Sequence, residues 1–328
     1  MKFIIFILFL FSCSPIEKKD PITNPNPGIG TIELDPMRKN RGLYAEHYPA
    51  SNERRIDLFW NIIDSLGGAY LGVGTDQNLS FAARAKSEWI FLVDFDPEIV
   101  KVNRLHIFFL KNSQDHTEFK NFWMRKNRES TSKYLRDKAG NEFADLEIGL
   151  NIGLKPGIGV PERLQELEYM EKNFFLKTFS NKEDDFQFLR KKAVENKIIA
   201  VNGDLTGPVT LKDISKRVSQ AGLTINVFYT SNAEEYFKFP TNFRENIKSM
   251  PISEKSVLIR TITAGSKSMG YPDGEKYPDS FPFHYNYQKL GNLKKWMDYP
   301  KEFNIPFLLK YRTNIEKGFS KIEQDPPI

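Results

Sequence analysis

Cysteine is nearly absent: a single one, Cys13, stands in 328 residues. No intrachain disulfide can form, and no zinc or iron–sulfur site can be built from cysteines. Histidine is scarce too. His47, His106, His116 and His284 show no compact ligand spacing such as H-x-x-x-H, so the sequence carries no metal motif. Also missing are a G-x-S-x-G nucleophile elbow and a Walker phosphate loop, the marks of serine hydrolases and P-loop enzymes. No apolar run reaches the ~20 residues that a membrane-spanning helix requires. A strong charge of one sign is lacking: 47 Lys and Arg face 42 Asp and Glu, a net charge of +5. That bias is too mild for a nucleic-acid surface, and no nucleic-acid partner is expected. What is present, 40% hydrophobic and 27% charged residues, suits a globular protein of one large domain or two ordinary ones.

The clearest apolar run, Phe3 to Phe11, follows Met1-Lys2 and precedes Ser12-Cys13-Ser14. As a helix it spans about 13 Å, under half of a ~30 Å hydrocarbon core, so residues 1–12 read as a signal peptide. Leu10-Phe11-Ser12-Cys13 resembles the lipobox of bacterial lipoproteins, in the relaxed form of spirochaetes. The resemblance implies cleavage ahead of Cys13 and lipidation of that residue. The chain would then be anchored to an inner or outer membrane, in the cell envelope and outside the cytoplasm. Pro15, Pro21, Pro25, Pro27 and Pro36, with Gly28 and Gly30, make residues 13–37 read as a semi-extended tether. The folded body is expected over residues 38–328.

In that body short hydrophobic runs alternate with helical patterns. Ser51 is placed to cap a helix carrying Ile56, Phe59, Ile62, Ile63 and Leu66 on one face. Strands are expected at Ala69–Leu71, Trp89–Asp96, Lys197–Val201, Leu223–Tyr229 and Ser256–Thr263, with a last one at Phe307–Tyr311. Helices fall between them, at 79–87, 98–110, 211–221 and 234–249, the last bent near Pro240. Residues 112–195 differ: they are charged, with aromatics at helical spacing, and read as a helical insertion. The pattern is that of an α/β fold with a doubly wound, mostly parallel sheet, in which ligands bind beyond the carboxyl ends of the strands.

Polar motifs sit at those ends. Gly72-Val73-Gly74-Thr75-Asp76-Gln77-Asn78 follows the first strand, Asp94 or Asp96 closes the second, Asp204 follows the third, and Ser231 to Tyr236 follows the fourth. This order resembles the Rossmann-like domain of class I S-adenosylmethionine-dependent methyltransferases, over about a third of the chain. The resemblance implies a crevice in which Gly72, Gly74, Asp76, Gln77, Asn78, Asp94 and Asp204 hold S-adenosylmethionine. The chain departs from the family at Tyr70 and Leu71, where an acidic residue is usual, and at Asp76, where a third glycine would fall. The inferred compartment is also one where that cofactor is not expected.

Two further residues are singled out. Arg260, on an apolar strand, needs a partner if buried: a carboxylate or phosphate ligand, or Asp94, Asp204 or Glu235. His284 lies in the aromatic-polar stretch Phe281 to Gln288, which reads as a loop over the crevice or as packing of the C-terminal layer. Asn232 and His284 are the candidates to stand near a reacting group. Three functions follow: a membrane-anchored binding protein or retired enzyme; an active nucleotide-related transferase; and a surface protein that binds a partner through residues 112–195.

Overall fold

The computed structural model describes residues 29–36, 47–264, 269–275 and 282–327. The expected signal peptide, Cys13 and the tether up to residue 28 lie outside these residues. A 3-10 turn at Ile56–Phe59 runs into α1 (Trp60–Ile63). Ser51 does not cap it; the Ser51 hydroxyl is turned to Glu53 and Gln77. The chain continues through β1 (Ala69–Val73), α2 (Gln77–Ala85), β2 (Trp89–Asp94) and α3 (Pro97–Asn112). The insertion supplies α4 (His116–Phe122), α5 (Arg128–Lys138), α6 (Phe143–Gly153), α7 (Val160–Phe174) and α8 (Glu183–Val194). Then follow β3 (Ile198–Asn202), α9 (Thr210–Gln220), β4 (Ile225–Tyr229), α10 (Thr241–Ser249) and β5 (Val257–Thr263). The C-terminal part comprises β6 (Phe283–Lys289), α11 (Leu290–Met297), α12 (Ile305–Leu308), β7 (Arg312–Glu316) and β8 (Phe319–Ile322).

The eight strands form one sheet in the order β3-β2-β1-β4-β5-β6-β8-β7. β1 to β5 run parallel, β6 pairs antiparallel with β5, and β8 parallel with β6. β7 closes the edge antiparallel to β8. The architecture is mixed α/β around a mostly parallel sheet, with twelve α-helices among the described residues.

Alternating strand residues feed two cores. Tyr70, Ile90, Leu92, Val227, Tyr229 and Ile259 face α2, α3 and the insertion, where they meet Phe81, Phe109, Phe119 and Trp123. Leu71, Phe91, Val93, Phe228 and Leu258 face α9, α10 and α11, where they meet Leu211, Ile214, Phe243 and Trp296. Burial on both faces explains why these strands read as continuous apolar runs rather than alternating ones.

Two further expectations are corrected. Phe307–Tyr311 is not a strand: the Asn304 side chain accepts from the Phe307 amide, Pro306 fits the first turn, and α12 passes into a 3-10 turn at Leu309–Tyr311. The stretch around His284 is not a loop but β6. Its Phe283 and Tyr285 alternate with His284, Asn286 and Gln288, so each set buries on its own face.

The end of the expected tether, residues 29–36, lies on the domain. Ile29 and Ile32 are buried, and Arg217 donates to the Ile29 carbonyl. Asp35 is the main fastening. Its carboxylate accepts from the amides of Val209 and Thr210 at the start of α9, at 2.8 and 3.3 Å, and from the Asp204 amide at 3.3 Å. A helix N-terminus offers free amides and positive potential, which a carboxylate satisfies. Gly207 is needed beneath it, since a Cβ there would overlap the Asp35 carboxylate. Asp35→Ala should therefore lower stability by ~1 kcal/mol, read as a drop in Tm. It should also open the peptide bonds of 29–36 to protease; unchanged cleavage would show that the arm is held by its isoleucines alone.

Candidate functional site

The β1–α2 turn is built tightly around its own side chains. Gly72 has no room for a Cβ, because Asn78 Oδ1 and the Tyr70 ring occupy that space. The Tyr70 hydroxyl donates to Asn78 Oδ1 at 2.7 Å, and Asn78 Nδ2 donates to the carbonyls of Val73 and Thr75, each at 3.0 Å. Gly74 takes φ 93°, a conformation suited to glycine. Asp76 and Gln77 are both buried. Arg163 of α7 reaches across to them: its Nε lies 3.2 Å from Asp76 Oδ2, and it donates to Gln77 Oε1 and Glu166 Oε2. Glu166 also pairs with Arg54 at 2.6 Å. The Ser51 amide donates to Asp76 Oδ1, so residues 51–55 are drawn over the turn.

Beside this turn lies Glu53, 1% exposed. Tyr229, Ser231 and Thr261 donate their hydroxyls to its carboxylate at 2.5, 2.8 and 2.5 Å, and Gln77 donates its amide. These donors come from α2, the ends of β4 and β5, and the turn after β4. Burial and the nearby Glu53 charge hold the Tyr229 phenol well above its usual pKa, so it stays a donor. A second buried carboxylate, Glu275, accepts from the Tyr285 hydroxyl at 2.5 Å and from the Arg54 and Arg55 amides, each at 3.2 Å. Desolvation raises Glu275 to about 7.

The end of β2 is arranged differently. Asp94 Oδ1 accepts from the Asp96 amide at 2.9 Å, while Asp96 caps α3 by accepting from the Glu98 amide. The two carboxylates thus have separate jobs: Asp94 is the last residue of β2, while Asp96 lies beyond the strand as the cap of α3. His47 Nδ1 lies 2.6 Å from Asp96 Oδ2. Burial pushes Asp94 up to about 7, against the lowering influence of the Asp96, Gly74 and Phe95 amides. Asp204 accepts from the Thr206 amide and hydroxyl, both at 2.7 Å, which shapes the loop before α9.

The remaining candidates separate from the crevice. Arg260 is fully buried on the other face of β5 from Thr261. It pairs with Glu234 at 2.7 Å and donates to Asn286 and Gln288 of β6. Its partner is thus neither a ligand nor Asp94, Asp204 or Glu235; Glu235 instead bonds the Thr263 amide and hydroxyl. His284 is buried between the Gly270 carbonyl and the Ser320 hydroxyl, and burial lowers its pKa. Lying on the Arg260 face, it is a core histidine and does not fold over the crevice. Asn232, half-buried, faces Tyr236 at 3.5 Å. His106 is neutral, pushed to about 4 by burial beside Phe119 and Trp123. No group of three or more metal-ligating side chains occurs among the described residues. Sequence reasoning missed Glu53, Arg163 and Glu275; only their unusual burial as charged groups marks them, and burial is not visible in the sequence.

The chain belongs to the family described as a domain of unknown function, DUF7790, whose sequence profile matches residues 48–323. No protein of curated function matches it.

The raised carboxyl at Asp94 has a defined sign. Its folded pKa of about 7 lies above the ordinary aspartate value, so its contribution is full below about pH 4 and is lost as pH rises through 7. Thermal unfolding from pH 5 to pH 8 should therefore show a falling Tm, with the loss at Asp94 on the order of 1–4 kcal/mol. Asp94→Asn should reduce that slope, leaving the share of Glu275, which desolvation raises to the same range, and stand above the wild type at pH 8. Parallel curves for the two proteins would mean that Asp94 is ionised throughout.

Proposed function

We propose that the chain is a lipid-anchored protein of the cell envelope presenting a doubly wound, Rossmann-like domain outside the cytoplasm. The domain is of methyltransferase-like design but works as a binding protein or retired enzyme rather than by methyl transfer. In support of the Rossmann-like reading, five parallel strands in the order β3-β2-β1-β4-β5 carry a glycine turn after β1 and an acid at the end of β2. The observation that carries the second part is the filling of Gly72. The space left by its missing side chain is taken by Asn78 and Tyr70 of the chain itself. Asp76 and Gln77, the next groups along the turn, are committed to Arg163, and Glu53 occupies the ends of β4 and β5. A cofactor lying along this turn would have to break several buried hydrogen bonds, each worth ~1 kcal/mol or more once desolvated.

The second reading is a nucleotide-related transferase using only the β2 end. It is favoured by Asp94, whose carboxyl stands near neutrality at the position where a ribose would be held.

Calorimetry with S-adenosylmethionine and S-adenosylhomocysteine separates the two. The first reading expects no heat of binding; micromolar binding that disappears in Asp94→Ala establishes the second. Anchoring is tested by growth with a clickable fatty acid, where the wild type should label and Cys13→Ser should not.

A further inference from the structure

The longest helix of the insertion ends on an aromatic side chain that packing does not account for. Phe175 follows the last residue of α7 in the left-handed conformation, φ 56° and ψ 26°, a position usually taken by glycine. It is 84% exposed, more than any other large hydrophobic residue among those described. Its neighbours hold it outward. Phe174 turns back under the Arg55 guanidinium, 5.5 Å from its ring centroid, and fills the space above Gly274. Leu176 is buried in the main core. Anchored on both sides, the backbone has no freedom to fold the Phe175 ring inward.

Around it run Lys172-Asn173-Phe174-Phe175-Leu176-Lys177, with the half-exposed Tyr169 one turn before Lys172 and Glu171 beside it. Lys177 is engaged by Glu171, while Lys172 has no ion-pair partner among the described residues.

We propose that Phe175 is a membrane-contact residue that enters the headgroup region of an anionic bilayer, with Lys172 facing lipid phosphates. A single projecting ring beside one free lysine does not make the broad, well-packed patch that a protein interface needs, whereas at an anionic bilayer the apolar area and the cation contribute together. The proposal rests on the anchoring reading, which keeps a bilayer within reach. The stretch from Cys13 to Ile29 spans up to ~50 Å at about 3.1 Å per residue. That is about the diameter of a domain of this length, so the docked arm leaves every face able to approach the membrane.

The test uses the full lipidated chain in phosphatidylcholine vesicles with and without about 30 mol % phosphatidylglycerol. Phe175→Trp places a reporter at the site, and the wild type with its four tryptophans supplies the background. Emission from the introduced indole should shift to the blue and lose about twofold in intensity with lipids brominated near the headgroup, more strongly in the anionic vesicles. An emission unchanged by vesicles, still quenched by acrylamide from water, overturns the proposal. Protection that appears with purified envelope protein but with neither vesicle also overturns it and makes the occupant a protein. Fatty-acid labelling of the same preparation reports the anchor separately. Labelled chain whose reporter stays exposed to water removes this proposal alone, whereas an unlabelled chain removes the anchoring reading, and quenching then decides this proposal by itself.

Discussion

Buried carboxylates at the carboxyl ends of the central strands impose the constraint on which the rest of the structure depends. Asp76, Glu53, Glu166 and Glu275 are all withdrawn from water, and an unpaired charge in that position costs several kcal/mol. Each must therefore be met by donors held in place. The cation that meets two of them, Arg163, comes from α7, in the middle of the insertion. Removing one partner of such an arrangement typically costs ~3–5 kcal/mol. The insertion is thus part of the fold rather than an appendage. α6 lies along α3, and Phe119, Trp123 and Leu167 share one core with Tyr70 and Ile90. Cutting out residues 112–195 would strip that core and leave Asp76 without its cation.

The same logic explains what was legible in the sequence and what was not. β1, β2 and β4 stand out as apolar runs because both faces are covered, and the glycine turn stands out because backbone geometry demands it. β6 carried a readable signal that its composition masked. Phe283, Tyr285 and Tyr287 alternate with His284, Asn286 and Gln288, a period of two, but the polar members suggested a loop. They are inside because Arg260 is inside: a buried guanidinium needs acceptors, and Asn286 and Gln288 supply two. α12 was missed for a local reason, since the Asn304 cap and Pro306 outweigh the strand character of Phe307 to Tyr311. The pairing of Arg163 with Asp76 joins residues remote in sequence, and no local pattern announces it.

The glycine turn shows how one motif supports two opposite readings. A glycine after a parallel strand means that something comes close to the backbone, and sequence alone cannot say what. At Gly72 the occupant is internal. Tyr70 stands two residues before it and Asn78 six after, the first helical turn folds back over the strand, and the two side chains bond each other across the gap. A turn filled in this way is stiff, with its donors and acceptors already matched. The half of the carboxyl edge at β2 lacks that closure. There, among the described residues, Asp94 is buried with amides as its neighbours and no cation, and the Asp96–His47 pair lies beside it. If the sheet binds a ligand, the geometry therefore directs it to the β2 end and toward a group that can be recognised by a carboxyl in either protonation state. The β1 turn would then serve as a rigid wall rather than as a cradle.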